Sequence, residues 1–193
     1  HEDTTPYEEL PDAEAWTLLP SSEGKLLGKL RQAGAALGHP SITKKIFQGM
    51  VTSANSVYHI HVTPKGRILK FPDEVENIDG IEDAYLRPLV TGADAKRYLE
   101  PSVSTFLLFP YAIQGGDSAL VPLDRLQRTA PLTFDLLQRH EELLRHREHP
   151  KMDRDDRWWG YVYPKNQAEQ ALPKIMVAST ATEIRAFADA AGA

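Results

Sequence analysis

A chain of 193 residues, 41% hydrophobic and 25% charged, has the composition of an ordinary globular protein and can build one sizeable core or two small ones. It has no cysteine, which excludes disulfide frameworks and cysteine-ligated zinc and fits a reducing cytosol. No apolar run approaches the roughly 20 residues that span a bilayer, and the formal net charge of -5 at first argues against a nucleic-acid partner.

The distribution of charge argues the other way. His1 to Gly24 carries seven acids and no Lys or Arg, whereas Lys25 to Lys70 carries eight Lys and Arg and no acid. Asp73 to Asp83 is acidic again. Such blocks allow a local positive face on a molecule of negative total.

Residues 1–15 are acidic, contain Pro6 and Pro11, and read as a linker arriving from something upstream, followed by an extended segment at Ala15 to Leu19. Ser21 or Ser22 is placed to cap a helix over 23–36, with Leu26, Leu27, Leu30, Ala33 and Leu37 on its inward face. Gly38 and Pro40 end it. Strands follow at Ile46–Val51, Ser56–Val62 and Ile68–Phe71, the last two joined by the turn Pro64-Lys65-Gly66. Small polar residues at Thr52 to Asn55 interrupt the apolar alternation, so Ser53 and Asn55 are expected at an exposed tip between paired strands.

Pro88 to Gly92 reads as a loop with a helical turn at Ala93 to Tyr98. Ser104–Phe109 reads as a buried strand, Pro110–Gly116 as a loop and Ser118–Val121 as an edge strand. One helix is expected over Pro131–His146, with Leu132, Leu136, Leu137, Leu143 and Leu144 inward. Trp158–Val162 and Lys174–Ala178 read as late strands, and Thr182 to Ala193 is weakly patterned. On an alternating strand, Trp158 and Trp159 face opposite ways and cannot both enter one core layer.

Catalytic signatures are missing. No Gly-x-Ser-x-Gly elbow and no His-Glu-x-x-His helix occurs. The acids Asp153, Asp155 and Asp156 are interleaved with Arg154 and Arg157, a pattern that suits a salt-bridged loop better than a metal site. His59 and His61 share a strand face without an evident third ligand, and read as surface or DNA-facing imidazoles. His140, His146 and His149 read as solvated helix surface.

Gly49, Thr52, Asn55 and Tyr58 form one phrase, and Leu86, Pro88, Leu89, Gly92 and Asp94 a second, running into Lys96-Arg97-Tyr98. Phe106 to Tyr111, a Leu/Glu/Arg-rich helix, Trp158-Trp159 and Pro173-Lys174-Ile175 follow in that order. This ordered set resembles the specificity region of adenine-specific DNA methyltransferases of restriction–modification systems, the TaqI-like and type IIG group, over nearly the whole chain. Ser53 departs from it, standing where the family often has glycine.

The resemblance implies an α+β target-recognition domain with a mixed, mostly antiparallel twisted sheet and a few flanking helices, spanning 16–193 and continuing past its C-terminus. It implies sequence-specific recognition of double-stranded DNA, a methyltransferase domain of the same polypeptide as partner, and a bacterial cytoplasmic location. The parent would be an adenine methyltransferase that also cleaves DNA in some members.

Neither the S-adenosylmethionine loop nor the Asn/Asp-Pro-Pro-Tyr/Phe loop that holds a flipped adenine occurs here, so no cofactor or catalysis is expected of this chain itself. S-adenosylmethionine would belong to the parent's other domain. Candidate DNA contacts are Lys44, Lys45, Ser53, Asn55, Arg87, Lys96, Arg97, Arg157, Trp158 and Lys165, with Gln114 and Arg154 beside them. The alternative is a protein–protein interaction module of a larger cytosolic enzyme.

Overall fold

The computed structural model describes residues 21–97, 99–149 and 151–190. The expected linker at 1–15 and the extended segment at Ala15 to Leu19 lie outside them. The chain divides into two compact units, His1–Phe47 and Gln48–Ala193.

In the first unit, α1 (Ser21–Ala33) forms where the spacing predicts, and Ser21 and Ser22 lie inside its first turn. Its expected inward face is not covered: Leu26 and Leu30, with Leu37 beyond the helix, are each more than half exposed. The strand expected from Ile46 is absent, because the segment finds no partner strand. Ile46 is exposed, and in the second unit Val51 makes a single bridge with Tyr163.

The second unit is α+β. One helical turn, α2 (Asn55–Tyr58), leads into β1 (His59–Thr63), so the strand expected from Ser56 starts three residues later. A hairpin through Pro64-Lys65 joins β1 to β2 (Gly66–Lys70). Then come β3 (Val75–Asn77), a 3-10 turn (Asp83–Tyr85), β4 (Leu86–Leu89) and β5 (Thr105–Leu108). These five strands make one sheet in the order β3-β2-β1-β5-β4, with every pairing antiparallel. Pro88 lies within β4, where a loop was expected. β4 is an edge strand, so proline's missing N–H breaks no ladder. The helical turn expected at Ala93 is a turn closed by Asp94, whose carboxylate accepts from the Thr91 amide and hydroxyl.

β6 (Tyr111–Gln114) and β7 (Asp117–Leu120) form a hairpin where a loop and an edge strand were expected. Its two-residue turn is Gly115-Gly116, both at positive φ (60° and 91°), as a turn matching strand twist requires. β8 (Lys174–Val177) pairs with β9 (Ala186–Asp189), a strand hidden in the weakly patterned tail.

The expected long helix is two, α4 (Pro131–Arg139) and α5 (Glu141–Arg145), preceded by α3 (Leu123–Thr129). The break falls at His140, whose Nε2 lies 2.7 Å from Glu76 of β3 and whose ring packs on Phe71 at 5.1 Å. This cross-chain anchor holds the backbone at φ -103°, ψ 15°, outside the helical well. Leu136, Leu137 and Leu144 enter the core as expected, while Leu132 and Leu143 stay exposed. The start of α4 is closed by Glu82, which accepts from the amides of Leu132 and Thr133 and from the Thr133 hydroxyl. That cap comes from 50 residues away in sequence.

The core joins Ile60, Leu69, Leu86 and Leu108 of the sheet to Leu126, Leu136, Leu137 and Leu144 of the helices. Trp158, Trp159 and Tyr161 complete it. Residues 158–162 are turns, not a strand.

Candidate nucleic-acid interface

The segment around Ser53 is a tight polar turn, built without a preceding paired strand. Thr52, 1% exposed, donates its hydroxyl to Asn55 Oδ1 at 2.7 Å and accepts the Ala54 amide at 3.1 Å. Ser53 takes φ 57°, the left-handed conformation that glycine enters freely and that costs other residues about 1–2 kcal/mol. Asn55 is exposed at the first residue of α2, not at a hairpin tip.

Glu148 locks the turn from outside, accepting from the Ser53 hydroxyl at 3.2 Å and from the Tyr163 hydroxyl. Lys151 Nζ stands 4.0 Å from the centre of the Tyr163 ring. Lys165 is exposed two residues beyond, its amide bonded to the Tyr163 carbonyl. Ser53, Asn55 and Lys165 are thus joined to one substructure through Glu148 and the Val51–Tyr163 bridge.

Beneath this surface lies Arg147, 5% exposed. Its guanidinium donates to the carbonyls of Leu144 (2.8 Å), Thr52 (2.9 Å), Trp158 (2.5 Å) and Gly160 (2.9 Å), and stands 5.5 Å from the Tyr58 ring centre. Tyr58 donates its hydroxyl to the Trp159 carbonyl at 2.8 Å, and Trp159 Nε1 donates to Val121 at 2.9 Å. The Tyr111 hydroxyl accepts the Tyr161 amide at 2.6 Å, and the Tyr161 hydroxyl donates to the Leu108 carbonyl at 2.6 Å. Burial pushes the Tyr58, Tyr111 and Tyr161 phenols above their ordinary range, so they stay neutral, Tyr58 and Tyr161 as donors and Tyr111 as acceptor.

These side chains use the carbonyls that a neighbouring strand would otherwise take, which is why 158–162 turns instead of extending. Both tryptophans consequently enter one core, at 3% and 8% exposure, with their rings edge to face at 5.9 Å. The expectation that they must point apart fails with the strand it assumed. Trp158 has no face left to stack on a base and drops out of the contact set.

The remaining candidates are exposed. Arg87 of β4 folds its guanidinium onto the carbonyls of Ala84 (3.2 Å) and Leu86 (2.7 Å) and over Phe109. Lys96 and Arg97 lie in the loop after β4, where Lys96 bridges Leu99. Lys44 and Lys45 belong to the first unit, Lys45 with its ammonium 5.9 Å from the Phe47 ring centre. Gln114 is exposed at the end of β6. Arg154 is exposed, and Arg157 is tied back to Asp155 at 3.2 Å. The salt-bridged reading of this loop holds for Asp155–Arg157, and Asp153 pairs with His149 at 2.6 Å.

His140 is not solvated surface, being half-buried against Glu76. Among the described residues no group of three His, Asp or Glu side chains is placed to hold a metal ion. No described helix is long and apolar enough to cross a membrane.

The residues missed in the sequence are Arg147, Glu148 and Tyr163. Arg147 had a signal: Leu137, His140, Leu144 and Arg147 follow helical spacing, so a cation continues the inward stripe. No protein-family model matches this chain, and no curated protein matches it significantly.

Proposed function

We propose that this chain is a target-recognition domain. It binds double-stranded DNA sequence-specifically and presents an adenine to a methyltransferase domain of the same polypeptide, in a restriction–modification system. One observation carries the reading. Three phrases of the family resemblance, far apart in sequence, are bound into one unit by the Arg147 guanidinium: the Thr52–Asn55 turn, the end of the Leu/Glu/Arg helix, and Trp158-Trp159-Gly160. Such a unit holds Ser53 and Asn55 on a rigid base, which is what base reading needs. Ser53 departs from the family's glycine, and its left-handed backbone is one that a glycine can also adopt.

In this reading the chain supplies affinity and sequence choice and leaves chemistry, with its S-adenosylmethionine, to the partner domain. Exposed lysines set register on phosphates, and Asn55, Arg97 and Lys165 reach base edges. The test is selection from a pool of randomised duplexes, followed by binding of the enriched sequence across a salt series. Enrichment of one motif, with affinity falling steeply in salt, is expected. A pool that stays random after repeated rounds refutes sequence recognition. The second reading, a protein-interaction module, draws on the exposed Leu26 and Leu30 of α1. It predicts binding that is insensitive to salt.

A further inference from the structure

The five-stranded sheet has one face on the helices; the other buries Leu107, 4% exposed, and gathers positive groups around it. His59 and His61 lie two apart on β1 and share that second face. Register puts His61 in one row with Ile68 and Asn77 on one side and Thr105 and Leu89 on the other. His59 lies in the next row with Leu107 and Arg87. Lys70, two residues past Ile68 on β2, projects from the same side. Glu76, the acid of β3, sits on the opposite face, where it meets Arg139 and His140.

The groups on the histidine face are thus Lys70 from β2, Asn77 from β3, Arg87 from β4, and Thr105 from β5, whose Oγ1 lies 3.2 Å from His61 Nδ1. These rows contain no carboxylate, but Asp79 flanks them, its carboxylate against Gly66 and its amide donating to Asn77 Oδ1 at 3.0 Å. Both imidazoles are half-buried. Burial, then the charge of His61, holds His59 below its ordinary pKa; burial, then Lys70, does the same to His61.

We infer that this sheet face is a phosphate-contact surface for the backbone of a DNA duplex, on which His59 and His61 take up protons as the duplex docks beside Lys70 and Arg87. The inference rests on the duplex-binding reading above and goes beyond it by naming a surface and its proton linkage. In the free chain burial disfavours both imidazolium forms, and the charges of His61 beside His59 and of Lys70 beside His61 add to it. A phosphate supplies an opposite charge and favours the imidazolium. Protons and duplex therefore bind together, and affinity rises as pH falls toward the histidine range.

The experiment measures fluorescence anisotropy of a labelled mixed-sequence duplex with the whole chain, at about 50 mM salt, near pH 6 and near pH 8. The chain is expected to bind about fivefold or more tightly at the lower pH. A His59→Gln/His61→Gln variant should bind with nearly equal affinity at both. Lys70→Ala should weaken binding at both pH values. NMR titration of the imidazole signals of the unaltered chain gives a readout independent of any variant's folding: both pKa values should rise when duplex is added. If the double variant keeps the pH ratio, or the imidazole pKa values do not move, the sheet-face inference falls and duplex binding stands. If no duplex binds at either pH, the duplex-binding reading falls, and this inference with it.

Discussion

Replacing Arg147 by Met keeps a stem of similar length and removes the guanidinium, leaving the Leu144, Thr52, Trp158 and Gly160 carbonyls without their donor. A buried acceptor left unpaired costs about 1–3 kcal/mol, and four would sum to more than any single substitution usually shows. Two effects reduce the sum. Gly160 keeps a weak bond from the Tyr58 hydroxyl at 3.4 Å. The guanidinium also regains its hydration, because every hydrogen bond it makes is to a neutral carbonyl and no carboxylate offsets its burial. The net expectation is about 3 kcal/mol of destabilisation, or roughly 6–12 °C in Tm for a domain of this size. Arg147→Lys keeps the charge but not the planar fork, and should recover less than half. Urea denaturation followed by tryptophan fluorescence measures both, since Trp158 and Trp159 sit at the site. A Met variant within about 1 kcal/mol of the unaltered chain would refute the keystone role.

Ser53→Gly should stabilise the chain by about 0.5–1 kcal/mol, because relief of the left-handed strain outweighs glycine's extra unfolded freedom, whereas Ser53→Val should destabilise it; chemical denaturation reads both. Burial pushes the Glu76 carboxyl up, but hydrogen bonds from Arg139 and His140 outweigh it and hold it below its ordinary range. A depressed acid stabilises above its unfolded pKa, so Glu76 should contribute above about pH 4.5 and lose that contribution as pH falls through its folded value; Glu76→Gln should flatten this limb of the Tm-versus-pH curve. For DNA, Lys44→Ala/Lys45→Ala should weaken binding to all duplexes alike and reduce the salt slope by about one unit per lost contact. Arg97→Ala should instead cost about 1–3 kcal/mol on the selected sequence and relax preference at one base pair; equal losses on selected and scrambled DNA would make Arg97 a phosphate contact.

Periodicity made β2, β5, β7, β8 and α1 legible, because each is short, local and patterned by its own side chains. What stayed hidden depends on distant partners. The helix break at His140 needs Glu76 and Phe71, and the α4 cap needs Glu82. The turn at 158–162 needs Arg147 and Tyr58 to claim its carbonyls. The candidate site divided the same way. Ser53, Asn55 and Lys165 were named from their residue types, but the group that unites them, Glu148 with Tyr163, carries no local pattern. Trp158 was misjudged for one reason: an alternating strand was assumed where side-chain hydrogen bonds had already replaced the ladder.

A net charge of -5 looks hostile to a polyanion, but formal charge weighs every carboxylate alike. Several here are committed internally. Glu76 holds Arg139 and His140, Glu82 closes α4, Asp94 caps its own turn, and Asp155 holds Arg157. Each of these carboxyls is held below its ordinary range by those partners, in all four against its own burial, so each is spent on the fold rather than projected as free surface charge. The histidine face of the sheet has no such acid in its rows. At physiological salt, charges more than about 8 Å away are largely screened, so a docking phosphate responds to the cations in its own row rather than to the molecular total. On the proposed duplex-binding reading, the sign that matters is therefore set strand by strand, and the two histidines would let pH adjust it.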